Sequence, residues 1–196
     1  MTELCQSFIG ALNSVLGGPA VLHEPCLRGE EWAYVKECLD TGWVSSVGKF
    51  VDQFESDLGD FTNTKHTVAT VNGTAALHAC LVLAGVERNE EVIIPTLTFV
   101  ATANAVAYLG AVPHFADSEM QTLGIDPKKL DAHLEATAKL ENGICVNTVT
   151  GRTIRAVICM HTFGHPVDID PLMALCQKWK LSLIEDVAES LGSTYK

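Results

Sequence analysis

Residues 91–117 read EVIIPTLTFVATANAVAYLGAVPHFAD. No Asp, Glu, Lys or Arg stands between Val92 and Ala116, and the run is long enough to cross a bilayer. Pro95, Thr96, Thr98, Thr102, Asn104, Gly110, Pro113 and His114 make it too polar and too broken for lipid. It parses instead as strand (91–94), turn, helix (99–109) and strand (112–116).

The same alternation extends on both sides. Upstream, His66 to Val71 reads as a strand and Thr74 to Val86 as a helix with little polarity beyond His78, expected to be buried on most sides. Downstream come a helix from Pro127 to Ala138, a strand from Ile154 to Met160, a helix from Ile169 to Lys180 and a strand from Ser182 to Val187. Asp126 followed by Pro127 is a helix start, the acid as cap and the proline in the first turn. Glu141 to Arg152 reads as a polar excursion. Strands alternating with helices of this length predict an α/β fold with a mostly parallel sheet, helices on both faces and right-handed crossovers. Residues 1–60 read differently, as helices Glu3 to Leu16, Glu30 to Asp40 and about Phe50 to Leu58, broken at Gly17, Gly18, Pro19 and Pro25. The expected organisation is an N-terminal helical segment (1–60) and a sheet-bearing part (61–196).

The chain has 196 residues, 47% hydrophobic and 19% charged, enough to bury a core, so disorder is excluded. Thirteen Lys and Arg against 24 Asp and Glu give a net charge of −11, which disfavours nucleic acid and anionic membranes as partners. The seven cysteines show no C-x-x-C and no zinc spacing; they read as buried thiols in a reducing compartment. Met1 to Gly10 lacks the basic start of a secretory signal, so the cytoplasm is the expected location.

Ligands of open α/β sheets bind beyond the carboxyl ends of the strands. Asn72, Gly73 and Thr74 open a helix there, offering free N–H groups and a hydroxyl; this is either a phosphate seat or an ordinary cap. Neither G-x-G-x-x-G nor G-x-x-x-x-G-K-[ST] occurs, which disfavours the usual nucleotide cradles. Of Glu185 and Asp186, one carboxylate falls at a strand end, where it either caps the next helix or pairs with a cationic heterocycle nitrogen. Phe99 either stacks on a flat ligand or belongs to the core. His161 and His165 lack a third partner for a metal and read as loop residues, with His161 a candidate polar contact to the ligand.

Taken together, GKFVDQFE (48–55), VNGTAALH (71–78), the 91–117 stretch, HTFGHPVDID (161–170) and LIEDVAESLGSTYK (183–196) closely resemble the DegT/DnrJ/EryC1/StrS sugar-nucleotide aminotransferases over nearly all of residues 22–196. HEPCLRGEEWAYVKECLDTGWVSSVGKFVDQFE, NTVTGR (147–152) and EDVAESLG are most similar to the branch acting in legionaminic acid and bacillosamine-type sugar synthesis. The resemblance implies the large domain of the aspartate aminotransferase fold (fold type I), pyridoxal 5′-phosphate, glutamate as amino donor, a 4-keto-6-deoxy sugar nucleotide as acceptor and a homodimer. It implies that Gly73 and Thr74 hold the cofactor phosphate, Phe99 stacks on the ring and Asp186 pairs with the ring nitrogen. Glu189 stands where many relatives carry Gln or His near the ring hydroxyl. It further implies that the lysine carrying the cofactor and a small C-terminal domain lie beyond Lys196, so residues 1–196 are expected to contain no catalytic residue, to bind no metal and to be inactive alone. A deoxysugar dehydratase of the same family using pyridoxamine phosphate, or a non-catalytic binding module, are the alternative readings.

Overall fold

The computed structural model describes residues 2–18 and 25–196; Pro19 of the predicted break lies outside them. The chain divides into two compact units, Met1–Asp57 and Leu58–Lys196.

The first unit contains α1 (Glu3–Leu16) and α2 (Glu31–Thr41), and α3 (Lys49–Thr62) contains the dividing residue. Thr2 caps α1 by accepting from the Cys5 N–H, and Gly17 ends it in the left-handed region at φ 71°. Tyr34 of α2 meets Phe50 with ring centroids 4.9 Å apart. None of the three helices contains a buried residue.

In the second unit the order is α4 (Gly73–Leu83), β1 (Glu91–Pro95), α5 (Val100–Tyr108), β2 (Val112–Ala116), α6 (Pro127–Thr137), β3 (Ala138–Glu141), β4 (Ile144–Asn147), β5 (Ile154–Met160), α7 (Ile169–Trp179) and β6 (Ser182–Asp186). β2, β1, β5 and β6 lie side by side in that order, all parallel. β1 is buried along its whole length. Its alternate residues go to opposite faces: Val92 and Ile94 join Leu77, Leu81, Ala105 and Val106 of α4 and α5, whereas Ile93 joins Leu130, Leu134, Leu172 and Leu175 of α6 and α7. The chain steps from β1 outward to β2 through α5, then back across to β5 after α6. Reversing direction while keeping crossovers right-handed requires that change of face.

At the amino ends of the strands, Glu91 is 3% exposed. It accepts from Thr150 Oγ1 at 2.6 Å, Asn147 Nδ2 at 2.9 Å and His114 Nδ1 at 2.9 Å. Burial raises its pKa, but these hydrogen bonds outweigh burial and hold it below its ordinary value. The NTVTGR segment thus satisfies a buried strand carboxylate.

Four expectations need correction. Residues 66–71 form no strand: they are irregular and end in a bend at Val71, with Val68 and Val71 78% and 89% exposed, and they pair with no strand among the described residues. Within α4 only Leu77 and Leu81 are buried; Val82 and Leu83 face outward, so the helix is covered on one side and not on most. The excursion at 141–152 begins inside an antiparallel hairpin, β3 with β4, turned by Asn142 and Gly143 at φ 52° and 81°. Only Cys145, Cys159 and Cys176 are buried; Cys5, Cys26 and Cys80 are exposed and Cys38 is intermediate.

Candidate functional site

Asp186 is the last residue of β6 and lies beside Met160, the last of β5. Its Oδ2 accepts from Thr102 Oγ1 at 3.3 Å and its Oδ1 from the Ala188 N–H at 3.2 Å. Thr102 sits in the first turn of α5, wholly buried, and its hydroxyl lies 2.8 Å from that of Thr98, which is 3.3 Å from Met160 Sδ. Alternation along β6 sends Glu185 elsewhere. Its Oε2 is 3.1 Å from His161 Nε2, a contact that lowers its pKa despite burial.

His161 is 4% exposed. Its Nδ1 accepts from the Val167 N–H at 3.2 Å, so in the neutral ring the proton sits on Nε2 and is donated to Glu185. With both nitrogens engaged, His161 locks its own loop. Nearby, Cys159 is pushed up to about 12 by burial and then by the Glu185 charge, so it is an inert thiol. His165 is exposed, and no metal-binding cluster occurs among the described residues.

Glu189 joins the two loops that follow β5 and β6. Its Oε2 accepts from the Phe163 N–H at 2.6 Å, with Phe163 itself at φ 55°, and Ser193 Oγ donates to the Gly164 carbonyl at 2.9 Å. Phe99 immediately precedes α5 and is 68% exposed, outside the core of this chain.

Seven residues, 84–90, separate α4 from β1, and the Asn89 N–H donates to the Gly110 carbonyl just before β2, so α4 ends at the amino edge of the sheet and its N-terminus points toward the carboxyl ends of the strands, where Asp186 lies. There Asn72 Oδ1 accepts from the Ala75 N–H at 2.9 Å. The N–H groups of Gly73 and Thr74 find no acceptor among the described residues, and a Cβ at Gly73 would meet nothing within 4 Å. Asn72, Thr74, His78 and Tyr108 line an open hollow. No hydrogen bond joins Thr74 to Asp186; what the structure brings into contact is Thr98, Thr102, Met160 and Asp186. Sequence reading missed the two threonines, although their i, i+4 spacing across a helix start was the available signal.

Residues 25–196 match the DegT/DnrJ/EryC1/StrS aminotransferase family. The chain is 40% identical over 172 residues to the GDP-perosamine synthase of Caulobacter vibrioides, covering 88% of this chain and 42% of that protein. It is 35% identical over 175 residues to EpsN of Bacillus subtilis, covering 89% and 42%, a protein whose name marks it as a candidate pyridoxal phosphate-dependent aminotransferase. Among solved structures, an aminotransferase from Psychrobacter cryohalolentis superposes with a TM-score of 0.73 at 28% identity over 90% of this chain and 41% of that one. The chain therefore spans about two fifths of the length of the proteins it matches, and its sheet and flanking helices are part of the fold type I large domain.

Proposed function

We propose, from the premise that this chain belongs to the DegT/DnrJ/EryC1/StrS aminotransferase family, that it is the cofactor-binding part of an enzyme moving an amino group from glutamate to a 4-keto-6-deoxy sugar nucleotide. The cofactor is pyridoxal 5′-phosphate. When bound, it supplies an electron sink that carries the amino group between the two substrates.

The residues present suit that group. Gly73 and Thr74 offer two N–H groups, a hydroxyl and the positive end of α4 to its phosphate. Phe99 offers an exposed ring face at the carboxyl edge of the sheet. Asp186 holds a ring nitrogen in its protonated form, with its own carboxylate fixed by Thr102 and the Ala188 N–H. Glu189, already accepting from Phe163, keeps Oε1 for the ring hydroxyl and holds the loop after β5 in place. The observation that carries the reading is the carboxylate of Asp186, anchored from two sides at the end of a parallel strand, on the edge toward which α4 points. The rest of the reading is that the cofactor-carrying lysine is none of those in residues 1–196, that residues 1–196 alone are inactive, and that two subunits complete the sites.

The test is to incubate the protein bearing this chain with glutamate, cofactor and a panel of 4-keto-6-deoxy sugar nucleotides, and follow products by mass spectrometry. An amino sugar nucleotide formed only with glutamate is the expected result. Loss of a ring hydroxyl without amination identifies a dehydratase, and no turnover of any keto sugar removes the reading.

A further inference from the structure

We propose that Thr102, with Thr98 behind it, is the positioning residue for Asp186: a two-hydroxyl chain that orients the carboxylate and ties it to the turn presenting Phe99. The inference rests on the cofactor-binding reading above.

Counting protons decides the direction of the chain. Three contacts run in series, Asp186 Oδ2 to Thr102, Thr102 to Thr98, and Thr98 to Met160 Sδ, at 3.3, 2.8 and 3.3 Å. Each hydroxyl has one proton to give, so two protons serve three contacts. In one arrangement Thr98 donates to Thr102 and Thr102 to Asp186, leaving the thioether with packing alone. In a second Thr102 donates to Thr98 and Thr98 to Met160, leaving Oδ2 without that donor; in a third Thr98 donates to Met160 and Thr102 to Asp186, leaving two hydroxyl oxygens 2.8 Å apart with no proton between them, a separation only a hydrogen bond sustains. An ionised carboxylate is much the stronger acceptor, and Thr102 is wholly buried, where a bond to a charge gains from low dielectric. The first arrangement wins.

Geometry then gives the chain a purpose beyond packing. Ala188 and Thr102 hold one oxygen each, which fixes the plane of the carboxylate. Thr98 and Thr102 flank Phe99 and belong to the same turn, so the ring that stacks and the carboxylate that pairs are registered to each other through one helix start. Moving that turn would move both groups together. The alternative, a threonine kept only for its volume, predicts that Val serves equally well.

The test compares wild type, T102V, T102S, T98V and D186N in the chain as it stands. The first measurement needs no cofactor: the ¹³C shift of the Asp186 carboxyl carbon at fixed neutral pH. T102V should move it, T102S should leave it in place, and T98V should move it less than T102V. An unmoved resonance in T102V, or equal movement in T102S, overturns the chain. The second is titration with pyridoxamine 5′-phosphate, followed by absorbance. Losing a hydrogen bond to a charged group predicts about tenfold weaker binding in T102V, with T102S within about twofold of wild type. T102V bound as tightly as wild type, with D186N weakened, overturns the positioning role while leaving Asp186 in place. D186N bound as tightly as wild type overturns the cofactor reading itself, whatever Thr102 does. Circular dichroism and thermal midpoints check that each variant is folded, and T98V carries the test should T102V not fold.

Discussion

Gly164 lies where the loops after β5 and β6 touch, and replacing it with alanine measures how tightly they are locked. Its φ is 81°, a region costing an L-residue about 1–2 kcal/mol. An added Cβ would also lie 2.9 Å from the carbonyl oxygen of Glu189, a backbone atom that cannot rotate away. Overpacking of this kind costs a further 1–3 kcal/mol, roughly, so G164A should lose about 2–5 kcal/mol in all. Gly85 provides the control: its φ is 75°, with nothing within 4 Å of the added carbon, so G85A should lose only the conformational part, about 1–2 kcal/mol. Urea unfolding of both variants beside wild type gives the difference directly. G164A should have the lower midpoint by a clear margin. Equal midpoints would show that the contact between the loops yields freely, and the locked geometry assigned to Glu189 and Phe163 would be wrong.

Stability should depend on pH through His133. Its Nε2 is 3.0 Å from that of His114, whose Nδ1 faces Glu91, and burial followed by the His114 charge lowers the pKa of His133 below 6.5. The folded state then binds fewer protons than the unfolded one. Stability is therefore full above about 6.5 and falls as pH drops through that value toward the lower folded pKa. H133Q should flatten the urea midpoint between pH 5.5 and 7, and parallel curves for wild type and variant would contradict this. Glu91, lowered from 4.5, loses its contribution only at more acid pH and does not confuse the window. Reduction with borohydride in the presence of pyridoxal 5′-phosphate should label no single lysine of residues 1–196 stoichiometrically. Lys178 is held by Asp131 and Glu135 with its pKa raised, and Lys196 is raised to about 12 by Asp170 and Tyr195. One fully labelled lysine on peptide mapping would show that a nucleophilic amine was overlooked.

What could be read from the sequence was what neighbouring residues decide. EVIIP and IRAVICM are apolar runs that only a strand covered on both faces accommodates, and Asp126 with Pro127 announces α6 by itself. Residues 66–71 read as a short run of strand type, but a ladder needs a second strand, which no local pattern supplies. The β3–β4 hairpin has a local signal as well: Asn142-Gly143 is the turn dipeptide that such a hairpin favours. At the candidate site, the place after Leu183 and Ile184 pointed to the pair Glu185 and Asp186, and only the family resemblance singled out Asp186. Thr102 did not, because its partner lies 84 positions away and only the packing of α5 on the sheet brings them together. That His161 and Glu189 both brace the loop at 161–164 follows only from the fold, because these contacts come from the loops after β5 and β6 together.

The role proposed for Asp186 is to hold a ring nitrogen protonated. The direct measurement is the ¹⁵N shift of ring-labelled pyridoxamine 5′-phosphate bound to wild type and to D186N, above the pH at which the free ring loses its proton. A pyridinium shift is expected in wild type and an unprotonated pyridine shift in the variant. The same shift in both proteins would contradict it.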